Sequence, residues 1–258
     1  MKKTVSFAAV IAAAGILSGC GGAKYIDISQ SAPVAVVSFS LDKSIVEEGK
    51  QKDSGPGLLQ KAENYYKNHQ LAVDALWNDF KAEYRDMLLG SEVIDVESIA
   101  SNEQYRELTK HTPKMMMGTD IAPGNSALVA ADGLNYISGY NKEVLEKTAA
   151  MLNARLLMCV DYTGSYAMST GVSIGKFGAG AAKMKLKAAI TLYEPGKGVV
   201  LTGSFSENSD ESFPMVGGEL LSENYAKGFC SAQKKLLPQI KSFLQNQQTR
   251  AKETAQKT

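Results

Sequence analysis

The stretch KMKLKAAITLY, residues 183 to 193, alternates apolar and polar side chains. Met184, Leu186, Ala188, Ile190 and Leu192 fall on one face of an extended chain, and Lys183, Lys185, Lys187 and Thr191 on the other. Neighbouring side chains of a strand point to opposite faces, so this period of two predicts a strand with one covered side. EPGKG follows as a turn signal, and VVLTGSFS resumes as the second arm of an antiparallel hairpin. Such a hairpin needs an apolar layer over one face. The segment from about 217 to 246 supplies it: Leu221, Tyr225, Phe229, Leu236, Ile240 and Phe243 lie on one face of a helix. Pro238 is expected to kink that helix, and the polar tail 247–258 to fray.

Upstream, PVAVVSFS (33–40) is a continuous apolar run and predicts a strand covered on both faces. Gly55-Pro56-Gly57 signals a loop, and a helix is expected from Leu58 to Leu89, with Gly90 ending it. EVIDVESI (92–99) opens as a strand, and Ser101-Asn102-Glu103-Gln104 fits a capping box starting a short helix to about Lys110. Residues 113–141 form an irregular insert, within which SALVAADGL suits a short helix. Asn141 caps a helix over 142–153, and ARLLMCVDYTGSYAM follows as a buried strand. GVSIGKFGAG is expected to be a flexible loop or an edge bulge. The mixture and the late hairpin predict one α/β (α+β) domain with a mixed sheet, flanking helices and a final helix.

The N-terminus decides the address. Lys2 and Lys3 precede an almost wholly apolar run, Val5 to Leu17, too short for the ~20 residues of a membrane-spanning helix. Leu17-Ser18-Gly19-Cys20 then resembles the lipobox of bacterial lipoproteins. The resemblance implies that residues 1–19 are a signal peptide and that Cys20 becomes the new N-terminus and carries lipid. A plain secretory signal is the competing reading. Two or more acyl chains anchor firmly, each buried CH₂ contributing ~0.8 kcal/mol. Gly21, rather than Asp, in the next position implies the outer membrane, facing the periplasm. Residues 20–32 then form the lipidated cysteine and a flexible tether. Lys2 and Lys3 leave with the signal, so 28 Lys and Arg become 26 against 27 Asp and Glu. That balance offers no broad positive field for nucleic acid.

Cys159 and Cys230 remain. An exported protein can form a disulfide between them, or each can be a separate buried thiol. Chemistry is thinly signalled elsewhere. His69 sits on the long helix among apolar neighbours, and His111 beside Thr112-Pro113. No metal-ligand or nucleophile motif accompanies either, so no catalytic residue, cofactor or metal is expected. GVSIGKFGAG lacks a phosphate loop's spacing: Thr170 stands where its first glycine belongs, and Phe177 where a hydroxyl should follow Lys176. Met115 to Met117 suit gap-filling in a buried loop better than soft metal ligation. Lys183, Lys185 and Lys187 either protect a sheet edge or contact an anionic surface; edge protection is the commoner role.

The valine-rich first strand, the helix, EVIDVESI with its short helix, NARLLMCVDYTGSY, and the segment GVSIGKFGAGAAKMKLKAAITLYEPGKGVVLTGSF together resemble the curli-secretion-channel (CsgG-like) lipoproteins. TolB N-terminal-type and penicillin-binding-protein-activator lipoproteins share that fold. The resemblance covers about 33–245 and implies a CsgG/TolB-N-like domain over 33–246, anchored by its N-terminal lipid. It implies a non-enzymatic interaction or assembly module that binds another envelope protein, or a subunit of an oligomeric channel. Channel members build a barrel from long hairpins. Here the corresponding segments, about 164–182 and 203–216, are short for that purpose: a hairpin needs two strands of about 9–11 alternating residues, whereas the first segment is rich in glycine and the second is polar and holds Pro214.

Overall fold

The computed structural model describes residues 25–30, 33–42, 46–47, 58–88, 91–109, 115–116, 119–120, 128–130, 133–174, 177–216, 219–220 and 222–256. Cys20 lies outside them, as does His111. His69 falls within a helix, but its side chain is outside the described set.

Nine strands and five helices are described. The strands are β1 (Val34–Asp42), β2 (Val46–Glu47), β3 (Met115–Met116), β4 (Thr119–Asp120), β5 (Leu128–Ala130), β6 (Leu156–Ile174), β7 (Phe177–Glu194), β8 (Gly198–Val216) and β9 (Glu219–Leu220). The helices are α1 (Leu58–Met87), α2 (Val96–Ser101), α3 (Glu103–Thr109), α4 (Lys142–Leu152) and α5 (Ser222–Ala255), with a 3-10 turn at Ile28–Gln30. One mixed sheet runs β5-β1-β6-β7-β8-β9, with β2 beside β6; β3 and β4 form a separate two-stranded hairpin. β1 pairs parallel with β6, while β6, β7 and β8 pair antiparallel in series. The fold is α+β in a single domain.

The core sits between β1, the first half of β6, and helices α1 and α5. Phe39 of β1 is fully buried, its ring 5.0 Å from Trp77, 5.2 Å from Phe80 and 5.2 Å from Tyr162. Gln233 of α5 donates to Leu76 O (2.9 Å) and to the Tyr162 hydroxyl (3.0 Å), joining both helices to the sheet. Two glycines let α5 approach closely. A Cβ on Gly164 would stand 2.3 Å from the Phe229 ring, and one on Gly228 would stand 2.2 Å from Met184. Helices α3 and α4 and the segment 133–141 cover the other face at this end: Tyr105 of α3 donates to Val37 O (2.8 Å), and Tyr193 of β7 donates to Glu146 of α4 (2.6 Å). β1 is thus covered on both sides, as its unbroken apolar run predicts.

β6, β7 and β8 extend well past that layered end as a three-stranded arm. At ~3.3 Å per residue, the 19 residues of β6 span roughly 60 Å. GVSIGKFGAG is therefore no flexible loop where it is described: Gly171 pairs with Gly180, Val172 with Ala179, Ser173 with Gly178 and Ile174 with Phe177. Glycines signal a loop in sequence, yet a ladder needs only backbone groups, and here Val172, Ile174, Phe177 and Ala179 alternate with the residues between them. The segments 164–182 and 203–216 likewise belong to these long strands and are not short. EPGKG is the β7–β8 turn, with Gly196 and Gly198 at φ +76° and +86°.

Several boundaries differ from the sequence reading. EVIDVESI forms no strand beyond a single bridge from Val93 to Val34, because Asp95 caps α2 and accepts from the Ser98 N–H (3.3 Å). Asn102, not Ser101, caps α3, accepting from the Tyr105 N–H (3.0 Å). SALVAADGL supplies a strand: β5 lies antiparallel on β1, with Ser40 opposite Ala130. Met115 and Met116 form a hairpin strand rather than irregular chain. α5 begins at Ser222 and runs through Pro238 to Ala255 as one helix. Pro238 is exposed, so the carbonyl that it cannot bond faces water. The tail is accordingly helical: Gln248 is buried, and Arg250 lies over the Tyr25 ring at 5.5 Å. The tether also shortens, since Ile26 and Ile28 are buried and Ser91 donates to Ile28 O (3.1 Å). Four residues lie between Cys20 and Tyr25, so five residue steps span at most ~18 Å of chain.

Candidate functional site

The open face of the arm is the most distinctive surface. On β7, Met184, Leu186, Ala188, Ile190 and Leu192 are buried beneath α5, as the alternation requires. The opposite face carries Lys183 and Lys187, exposed, and Lys185, half-buried. Thr191 departs from the expected polar face. It is buried, because Gly139 passes so close that a Cβ there would lie 2.6 Å from it. Among the described residues, the segment 133–141 thus closes the upper part of this face, and Lys183 and Lys187 lie exposed on the lower part.

Edge protection does not explain the three lysines. β7 is an interior strand, paired with β6 on one side and β8 on the other. The register shows what flanks each lysine. Lys187 lies between Thr163 and Ser206, Lys185 between Ser165 and Asn208, and Lys183 between Ala167 and Ser212. None of these six neighbours is acidic. Three cations spaced two residues apart, roughly 7 Å, stand among hydroxyl and amide side chains, with Ala167 beside Lys183. Asp210, the nearest acid whose effect reaches Lys183, is committed to Lys235 of α5 at 2.7 Å, which holds its carboxyl below the ordinary range. The face can attract anionic groups and offer them hydrogen bonds.

A second, polar region lies under the covered part of the same face. Ser40 donates to Asp161 (2.6 Å), Ser38 accepts from the Ile137 N–H (3.0 Å), the Asn135 N–H donates to the Tyr105 hydroxyl, and the Asn135 side chain donates to Thr109. Burial, helped by the Asp161 charge, pushes the Tyr136 phenol up to about 12. Burial raises Tyr105 and Tyr162 further still. An unfolded tyrosine ionises near 10. Between these values the folded state keeps protons that the unfolded state has lost, so stability falls as pH rises. The contribution is complete below about pH 10 and is lost as pH climbs through 12. Thermal melts by circular dichroism should therefore show a lower midpoint at pH 11 than at pH 9, and Tyr136→Phe should narrow the gap. Equal midpoints for the native chain would contradict this reading.

Cys159 and Cys230 do not pair; both are free thiols. Alternation along β6 explains it. Cys159 shares the face of Asp161, under 133–141, whereas Cys230 of α5 stands on the Tyr162 side of the sheet. Burial raises both thiols, Cys159 strongly and Cys230 to about 12 with Asp79 beside it. Neither is an activated nucleophile.

No sequence signal marked the cavity of about 660 Å³ between α1 and Gly133–Asn135. Gln70, Asp74, Asn78 and Asn135 line it with Trp77. Trp77 Nε1 has no hydrogen-bond partner, but the atom is itself buried, and the ring packs on Phe39 and Phe80. Among the described residues, no cluster of His, Cys, Asp and Glu could hold a metal ion. Among them too, no helix is long and apolar enough to cross a membrane. No protein-family model matches the chain, and no curated protein matches its sequence.

Proposed function

We propose that this chain is a lipid-anchored protein of the bacterial envelope, held at the outer membrane through Cys20, and that its domain is a non-enzymatic docking module. The observation that carries the docking role is the lysine row of β7, whose six register neighbours on β6 and β8 include no acid. Its partner is an envelope protein presenting carboxylates. Surface charges of this kind set encounter rate and orientation more than affinity, and salt weakens them. The resemblance to the curli-secretion-channel lipoproteins agrees with this placement.

The test is cross-linking in intact envelopes, comparing the native chain with Lys183→Gln/Lys185→Gln/Lys187→Gln. The triple variant should lose most of its cross-linked partner while keeping its circular-dichroism spectrum and membrane fraction. An unchanged set of cross-linked partners would overturn the docking role of the face.

A channel subunit is the second reading. The long pairing of β6 with β7, from Leu157–Tyr193 to Ile174–Phe177 with one irregularity between Met168 and Thr170, favours it, because the strands exceed the about 9–11 residues that a transmembrane strand needs. Two features weigh against it. α5 covers the arm as far as Met184 and Phe213. β6 also starts beside Pro33, near the tether, and leads away from it. A ring of many protomers extracted in detergent would favour the channel; a monomer or dimer would sink it.

A further inference from the structure

Beyond β8 the sheet adds only the two-residue β9, so among the described residues most of the β8 edge is open. β7 pairs with β8 from Gly198 to Val216 on one side. On the other, β9 reaches only Met215 and Val216. Among the described residues, no strand pairs with Val199 to Phe213 on that side. A lone edge presents a row of backbone N–H and C=O groups that can template another strand. The far end is partly closed: the Asp210 N–H donates to Ser231, and Ser209 donates to Glu211 O, at the irregularity opposite Lys183 and Lys185. The regular open stretch is therefore 201–208, LTGSFSEN.

Of the devices that normally guard an edge, this stretch carries only the charge of Glu207, whose carboxylate accepts from Gln239 of α5 (2.6 Å). It holds no Lys, Arg or Pro, and its register with β7 is unbroken from Leu201 to Asn208. The lysines that could have guarded an edge lie one strand inward. Leu201, Phe205 and Phe243 at this border are only half-buried, although Phe205 and Phe243 meet edge-to-face at 5.5 Å.

We propose that β8 pairs antiparallel with β8 of a second copy of this chain, about a two-fold axis through Gly203. The pattern of the strand selects this occupant. With Gly203 on the axis, Thr202 faces Ser204 of the second copy on the open side. On the helix side, Leu201 faces Phe205 of the second copy. Glu207 then falls beyond Leu201 of the second copy, at the irregularity that precedes it, where Val199 and Val200 carry no charge, so no like charges oppose each other. Moving the axis to Ser204 sets Glu207 against Leu201 and leaves Phe205 facing a glycine. An antiparallel pair of this register keeps each side chain on its own face of a continuous sheet. It also satisfies the exposed backbone groups of both copies at once. This pairing goes beyond the proposed envelope role and needs neither the lysine face nor Cys20.

The full-length chain in detergent should behave as a dimer in sedimentation velocity. Ser204→Lys should weaken self-association by at least about tenfold, since an edge lysine opposes strand addition, while leaving the thermal midpoint unchanged. Differently tagged Thr202→Cys and Ser204→Cys chains, mixed and oxidised, should give a mixed disulfide dimer far faster than Thr202→Cys alone, because only the mixed pair is directly opposed. A native chain that stays monomeric at every concentration would overturn the proposal. So would a dimer indifferent to Ser204→Lys that yields no mixed disulfide. A β8 edge protected from hydrogen exchange only in whole envelopes would assign it to a foreign strand and would equally overturn self-pairing. None of these results bears on partner loss by the lysine variant.

Discussion

Replacing Cys20 by serine is expected to move the protein from the membrane pellet to the soluble fraction and to remove the acyl mass from its N-terminus. The proposed anchor is one residue, so the effect is nearly complete. A single acyl chain gives only marginal, reversible binding, of order 10⁴ M⁻¹, whereas two or more hold firmly. Neither the cation row of β7 nor any described helix supplies a comparable hold. The measurement is fractionation of cells followed by intact-mass analysis of the purified chain. An unchanged mass with an unchanged membrane fraction would defeat the lipoprotein reading. With at most ~18 Å of chain between Cys20 and Tyr25, the proposed anchor would hold the domain close to the lipid surface.

The second large effect is in the core. Phe39→Ala should destabilise the chain by about 3–5 kcal/mol, the usual range for removing a buried aromatic ring. Phe39 touches Trp77, Phe80 and Tyr162, so its loss opens a cavity where β1, β6 and α1 meet. For a domain of this size that corresponds to a fall in melting midpoint of roughly ten degrees. Trp77 is the only tryptophan, so its fluorescence reports unfolding at this point. Val199→Ala, at a largely exposed position, should change stability by no more than about 0.5 kcal/mol. A loss under about 1 kcal/mol for Phe39→Ala would show that the aromatic cluster does not hold the core.

Much of the fold was legible. The even-numbered apolar residues of β7 are buried as the period of two required, and β1 is covered on both faces as its apolar run required. Asn141 caps α4 as expected, accepting from the Val144 N–H. Misreadings fell where local pattern and global pairing diverge. Four glycines in 171–180 obscured the alternation of Val172 with Ile174 and of Phe177 with Ala179, so paired strands looked like a loop. Ile26 and Ile28 are two apolar residues in a polar stretch, too few to signal docking, yet each finds a pocket in the body. Gln248 and Arg250 sit on a polar helical turn whose value comes from Tyr25, far away in sequence. The candidate site was half legible: alternation placed the three lysines on one face, but which strand forms the edge is a property of the whole sheet.

The sequence by itself determined the local periods, the turn at EPGKG, the α5 stripe and the proposed address at Cys20, because each depends on residues close together in the chain. Only the tertiary structure decided that β7 is interior and β8 the open edge, that Cys159 and Cys230 stand on opposite faces, and that the tether and tail are docked. Each of these depends on which backbone groups and surfaces meet across long separations. A strand's own side-chain pattern carries its faces but not its neighbours.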